Sequence, residues 1–132
     1  MAQLPTVGMY MDQWVHTLSP ETDIEDAVAM LLSRHVTGAP VVDDDNRVVG
    51  MLTEKDCLRL VAKGVNNNEM AGTVADYMTK EVTTVPPEMD IYFAAGVFLQ
   101  NYFRRLPVVV DGKLIGAITR FDILRAIKIQ PG

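Results

Sequence analysis

Gly50-Met51-Leu52-Thr53-Glu54-Lys55-Asp56 and Gly116-Ala117-Ile118-Thr119-Arg120-Phe121-Asp122 are one pattern written twice: Gly-apolar-apolar-Thr-x-x-Asp. Just beyond it, Leu58 and Arg59 match Leu124 and Arg125. Upstream, Pro40-Val41-Val42 matches Pro107-Val108-Val109. Farther out, Thr6-Val7, Tyr10-Met11, Val15, Thr17, Pro20-Glu21, Asp23-Ile24, Ala27 and Leu32 fall on Thr73-Val74, Tyr77-Met78, Val82, Thr84, Pro87-Glu88, Asp90-Ile91, Ala94 and Leu99. The register is constant through these pairs. It slips by one residue only inside a turn, Asp43-Asp44-Asp45-Asn46-Arg47 against Val110-Asp111-Gly112-Lys113, where a length change leaves packed elements in place. Two copies of a unit too small to hold a core alone imply one pseudo-symmetric whole. The expected division is a first copy over 6–64, a linker over 65–72 and a second copy over 73–129.

With 132 residues and 48% apolar content, the chain can bury one good core. No apolar run approaches the roughly 20 residues of a membrane span, and Met1-Ala2-Gln3-Leu4-Pro5 lacks the basic-then-apolar pattern expected of a leader. Cys57 is alone, so no internal disulfide forms and nothing points to secretion. A formal charge of -5 opposes binding to nucleic acid or anionic membrane, and no basic stripe with interleaved aromatics is present. The expectation is a soluble, cytoplasmic protein of mixed α/β (α+β) class.

Each copy reads as a short helix, strand, helix, strand, strand, helix. In the first, Val7 to Met11 is a helical turn and Val15-His16-Thr17-Leu18 is extended until Pro20 stops it. Thr22-Asp23-Ile24-Glu25 reads as a capping box, followed by a helical stripe of Ile24, Ala27, Val28, Leu31 and Leu32. Pro40-Val41-Val42 and Val48-Val49-Gly50-Met51-Leu52 flank a turn as a β-hairpin. Thr53 caps a helix from Glu54 to Lys63 that Gly64 ends, and Val65-Asn66-Asn67-Asn68 links the copies. The second hairpin turns on Asp111-Gly112, and the last helix runs from Phe121 to about Ile129.

The predicted helix from Asp90 to Phe103 differs in kind. Ile91, Ala94, Ala95, Phe98, Leu99 and Tyr102 share one face, while the other carries Tyr92, Phe93, Gly96 and Val97 rather than charge. A helix apolar nearly all round is covered on both sides. The bland account is a central helix wrapped by its own chain. The favoured one is a homodimer packed through helices 23–34 and 90–103. Met9, Met11 and Met78 are further candidates to face a partner.

Thr-x-x-Asp at a helix start has chemistry of its own. Several backbone N–H groups there lack partners, and the helix end favours phosphate. A Thr hydroxyl can donate to a phosphate oxygen; an Asp carboxylate accepts, and suits the two hydroxyls of a ribose. Together they describe one end of a nucleotide. The same residues also make a plain capping box, which stabilises a helix by about 1 kcal/mol with no ligand. Thr22-Asp23-Ile24-Glu25 and Thr73-Val74-Ala75-Asp76 are expected to be no more than that.

The doubled motif, with Ala39-Pro40-Val41-Val42 and Leu106-Pro107-Val108-Val109 upstream, resembles the cystathionine-β-synthase (CBS) domain, and the tandem resembles a CBS pair, or Bateman module. The resemblance covers essentially the whole chain. It implies two βαββα repeats, frequent dimerisation, a regulatory rather than catalytic role, and an adenosine-containing ligand bound between the repeats. Carried over residue by residue, one site uses Thr53 for phosphate or ribose and Asp56 for the ribose hydroxyls, with main chain around Thr17-Leu18 and Gly38-Ala39 at the base. The other uses Thr119 and Asp122, with Thr84-Val85 and Arg105-Leu106 at the base. Lys55 fits the basic position before the motif Asp; its counterpart Phe121 does not, although Arg120 lies beside it. Arg104 and Arg105 align with Thr37 and Gly38, so the sites are unequal. Arginine forks suit phosphate, and the cluster of Lys55, Arg104, Arg105 and Arg120 ranks ATP, ADP or AMP ahead of S-adenosylmethionine.

Other chemistry has no foothold. His16 and His35 lack metal-ligand spacing, and His35 is explained by a helix C-terminus. Cys57 reads as a small buried residue, and no nucleophile has a base beside it. Asp43-Asp44-Asp45 reads as a solvated hairpin tip. No catalytic residue, metal or obligatory cofactor is expected, only an adenine nucleotide as ligand. With no enzyme, channel or transporter segment in these residues, the effector is expected in trans. The competing expectation is a ligand-independent dimerisation scaffold whose Thr-x-x-Asp boxes only cap helices.

Overall fold

A computed structural model describes residues 4–63, 70–101 and 103–129 of the protein. In chain order the elements are α1 (Val7–Tyr10), α2 (Ile24–Arg34), β1 (Gly38–Val42), β2 (Val48–Thr53), α3 (Glu54–Ala62), α4 (Val74–Tyr77), α5 (Ile91–Asn101), β3 (Arg105–Val110), β4 (Lys113–Thr119) and α6 (Arg120–Ile129). This is the mixed α/β architecture expected of two repeats, with two small antiparallel sheets, β1-β2 and β3-β4. Gly64 and Val65-Asn66-Asn67-Asn68, expected as helix stop and linker, and Tyr102 lie outside the described residues.

The chain forms two compact units, His16–Val82 and Met1–Val15 with Thr83–Gly132. They do not follow the sequence repeat, because the head of each copy packs in the unit of the other. In the first unit, β1 and β2 pair from Gly38↔Thr53 to Val42↔Val48, with a bulge between Val41 and Val42. The extended segment before α2 shortens to a single parallel bridge: the Leu18 amide donates to the Pro40 carbonyl at 3.0 Å, and the Val42 amide to that of Leu18 at 2.9 Å. Leu18, Ile24, Ala27, Leu31, Ala39, Val41, Leu52, Leu60 and Val74 make its core. Val74 comes from α4, at the head of the second copy.

The second unit repeats the plan. β3 and β4 pair from Arg105↔Thr119 to Val110↔Lys113, with a bulge at the equivalent step, Val108 to Val109. Its core is Val7, Val85, Ile91, Ala94, Phe98, Leu106, Val108, Ile118, Ile123 and Ala126. Here Val7 comes from the head of the first copy. It is held by its amide to the Met89 carbonyl at 2.8 Å, while the Ile91 amide bonds the Pro5 carbonyl at 2.9 Å.

The motif glycines are packing positions. A Cβ on Gly116 would stand 2.7 Å from the Met11 sulfur and 2.8 Å from the Asp12 carbonyl oxygen; one on Gly50 would run into the Met78 thioether. Met11 and Met78 therefore pack over the strand of their own unit and are half-buried, whereas Met9 is exposed. The Asp111-Gly112 turn has positive φ at both residues, 53° and 81°, as a two-residue hairpin turn requires. In the other hairpin the Asp43 carboxylate accepts the Asp45 and Arg47 amides, each at 2.9 Å, so the acidic tip is a turn device.

Three local expectations fail. The box at Thr22 does not form: Asp23 is the N-cap and makes no side-chain cap bond. Instead the Ile24 amide donates to the Gly72 carbonyl at 3.0 Å, and the Val74 amide to that of Thr22 at 2.8 Å. Pairing with the head of the other copy satisfies the end that a side chain was expected to cap. Leu32 and Leu99 leave their predicted buried stripes and are 71% and 80% exposed. The helix expected over 90–103 spans Ile91–Asn101. No helix among the described residues is long and apolar enough to cross a membrane.

Candidate functional site

Each repeat motif ends a strand and starts a helix, and the turn between them builds a small cage around a carboxylate. In the first unit, the Thr53 amide and hydroxyl donate to Asp56 Oδ2 at 2.9 and 3.0 Å, and the Asp56 amide returns a bond to Thr53 Oγ1 at 3.3 Å. Asp56 Oδ1 takes Arg59 at 3.3 Å and the Thr79 hydroxyl at 3.1 Å. With four donors around it, the buried carboxylate needs no ligand to be satisfied. The first amide of α3, on Glu54, is also taken, by the Thr37 carbonyl at 2.8 Å.

The second unit keeps the frame and changes the surroundings. The Thr119 amide and hydroxyl reach Asp122 Oδ2 at 2.8 and 3.0 Å, and the Asp122 amide reaches Thr119 Oγ1 at 3.3 Å. Oδ1 takes Arg125 at 2.9 Å. Among the described residues no threonine hydroxyl donates to it. The residue in the place of Thr79 is Asp12, whose carboxylate accepts the Trp14 amide at 2.9 Å. A cavity of about 170 Å³ opens here, lined by Asp12, Val15, Arg105, Ala117, Thr119 and Asp122.

Thus the structure brings Thr119, Asp122 and Arg105 together, and adds Asp12, Val15 and Ala117, which the motif reading missed. Asp12 and Val15 lie ninety or more positions before Arg105 in the chain. The available signal was the repeat itself, which sets Asp12 opposite Thr79 and Val15 opposite Val82. The hydroxyls of Thr53 and Thr119 spend their single proton on the carboxylate, so in this arrangement they position Asp and do not point a donor at phosphate. Leu18 and Val85 give their amides to the Pro40 and Pro107 carbonyls, both at 3.0 Å, which leaves Thr17 and Thr84 just before them as the main chain outside the ladder. Ala39 and Leu106 are core side chains and Gly38 is paired in β1. Lys55 is exposed on the first turn of α3. Arg120 ties its Nε to the Phe103 carbonyl at 3.0 Å, and Arg104 is exposed beside Arg105.

Thr73-Val74-Ala75-Asp76 behaves as the expected local cap: the Thr73 amide reaches Asp76 Oδ2 at 2.8 Å and its hydroxyl at 3.3 Å. Burial, and secondarily the Asp56 charge, push the Cys57 thiol above its ordinary value, which suits a packing residue and not a nucleophile. Among the described residues no group of three or more His, Cys, Asp or Glu could hold a metal.

The family model for the CBS domain matches residues 7–63 and 74–129. An uncharacterized protein of Methanocaldococcus jannaschii is 35% identical over 117 residues, which is 89% of this chain and 41% of that protein. The chloroplastic CBS domain-containing protein CBSX2 of Arabidopsis thaliana is 34% identical over 149 residues, 92% of this chain and 63% of its relative. The chain therefore spans less than two thirds of either. The crystal structure of CBSX2 in complex with AMP superimposes with a TM-score of 0.83 at 37% identity, covering 94% of this chain and 96% of that one.

Proposed function

Because the chain belongs to the CBS-domain family, with the domain present twice, we propose that it is a non-catalytic regulatory module that binds an adenosine-containing ligand and signals its occupancy to an effector protein in trans. Adenine nucleotides (ATP, ADP or AMP) rank ahead of S-adenosylmethionine. The observation that carries this is the Asp122 cage, where a carboxylate held by three internal donors borders a cavity with a guanidinium in its wall. An acceptor beside a cation suits the hydroxyls and phosphate of one nucleotide. The AMP complex of CBSX2 supports the ligand class. The candidates from which the ligand-binding set is drawn are Thr53, Asp56 and Lys55 in one unit and Thr119, Asp122, Arg105, Arg104 and Arg120 in the other. Main chain at Thr17-Leu18, Gly38-Ala39, Thr84-Val85 and Leu106 is assigned to the base.

Signalling is population shift: ligand favours whichever arrangement of the module binds it better, and the coupling equals that difference in affinity. The module acts as a homodimer through α2 and α5. Leu32 and Leu99 occupy the same place in the two copies and are both exposed, and Tyr92 and Phe93 extend the apolar face of α5.

A thermal-shift series with ATP, ADP, AMP, S-adenosylmethionine and NAD tests the reading. A ligand at 100 times its Kd stabilises by about 2.7 kcal/mol, which raises Tm by roughly ten degrees in a domain of this size. No shift with any of them at millimolar concentration overturns it in favour of the second reading, a ligand-independent dimerisation scaffold. The satisfied carboxylate at Asp56 is the observation on that side.

A further inference from the structure

The two cages share Thr-x-x-Asp and differ in what stands around the carboxylate. Over Asp56 stands Thr79, a donor, and its hydroxyl fills the last open place on Oδ1 at 3.1 Å. Over Asp122 stands Asp12, which has no proton to give, so Oδ1 keeps Arg125 as its one donor among the described residues. The strand residue paired with the overlying segment is Met51 in the first unit and the much smaller Ala117 in the second, where Ala117 lines the cavity of about 170 Å³. Arg105 replaces Gly38 in the cavity wall. The differences act in the same direction: the Asp56 carboxylate is saturated from within, and the Asp122 carboxylate borders a cavity with a second acceptor in its wall.

We propose that nucleoside binding is confined to the Asp122 cage, and that Asp12 is its specificity-determining residue, offering with Asp122 a pair of acceptors for the two hydroxyls of a ribose. The inference rests on the adenosine-binding reading above and goes beyond it by choosing the site and the group recognised. Asp12 acts in two ways. It withholds the donor that closes the other cage, and its own free oxygen supplies the second acceptor, since the Trp14 amide occupies only Oδ1. Arg125, paired with Asp122 at 2.9 Å, offsets that carboxylate's charge, so the two acceptors suit a neutral diol, and Arg105 in the cavity wall suits the phosphate. The Asp56 cage, saturated by four donors, is structural.

Calorimetry of AMP and of 2′-deoxy-AMP, on the wild-type chain and on Asp12→Thr, reads this out. The expected result is one AMP per chain, 2′-deoxy-AMP weaker by tenfold or more, and an Asp12→Thr variant that loses at least tenfold in AMP affinity. Thr is the residue that the other unit carries at this place, so Tm should hold. Asp12→Asn, which keeps the side-chain size and the oxygen that takes the Trp14 amide, should reproduce the loss if the threonine variant proves unstable. Two AMP per chain, equal affinity for the deoxy compound, or unchanged binding in both Asp12 variants overturns the inference and leaves the adenosine-binding reading standing. If neither AMP nor any other adenosine compound binds the wild type, that reading falls and this inference falls with it.

Discussion

Asp56 and Asp122 occupy the same motif position, and their hydrogen bonds differ. The Asp56 side chain is 2% exposed and has four donors; that of Asp122 is 13% exposed and has three. Asp56→Ala leaves the Thr53 amide and the Thr79 hydroxyl without their acceptor, at an expected cost of about 2–3 kcal/mol. Asp122→Ala should cost about half as much, because water can reach the groups it abandons. Urea unfolding of both variants checks the order. Cys57 offers a second test at this scale. Burial first, and the Asp56 charge second, disfavour its thiolate, so alkylation at pH 8 should be slower than for a free cysteine and should speed up in Asp56→Asn. The sign for stability follows. A thiol whose folded value lies above its ordinary 9.0 contributes fully below that pH and loses its contribution as pH rises through the folded value.

At the scale of elements, α2 and α5 each turn a leucine outward at the same repeat position. Leu32 and Leu99 add nothing to the cores beneath them, since α2 is anchored by Ile24, Ala27 and Leu31, and α5 by Ile91, Ala94 and Phe98. Leu99→Glu is therefore expected to leave the Tm of an isolated chain within a few degrees while shifting a dimer to monomers, read by light scattering at micromolar concentration. A wild type already monomeric there would remove the dimer from the proposed function. These two leucines also mark the limit of helical periodicity as evidence. Spacing placed both on an apolar stripe, but a stripe only records which residues are apolar and not how wide the covered strip is.

At the scale of the whole molecule, the heads of the two copies are exchanged. α1 buries Val7 in the unit of the second copy, and α4 buries Val74 in that of the first. Deleting residues 4–15 should lower the hydrogen-exchange protection of β3, β4 and α6 before that of β1, β2 and α3, although the deletion lies in the first copy. Loss of protection confined to the first-copy strands would contradict the exchange. The same exchange explains the failed cap at Thr22. The amide that a side chain would have satisfied pairs instead with backbone brought from the other copy, which no local pattern of Thr and Glu records.

What the sequence by itself determined was everything that repeats: the class, the two hairpins with their register slip in a turn, and the Thr-x-x-Asp cages. These are local, set by turn chemistry, β-branched runs and caps, and duplication wrote each of them twice. Only the tertiary structure decided what stands over each cage. Thr79 reaches the Asp56 carboxylate, and Asp12 comes to line one cavity with Asp122, because a backbone pair, Asp12 with Ala117 in one unit and Thr79 with Met51 in the other, lays an extended segment across a motif glycine that has no side chain to hold it off. That placement is a contact between distant parts of the chain, fixed by burial of Val7 and Val74 and by close packing over Gly116 and Gly50, and neither of these forces leaves a periodic trace in the sequence.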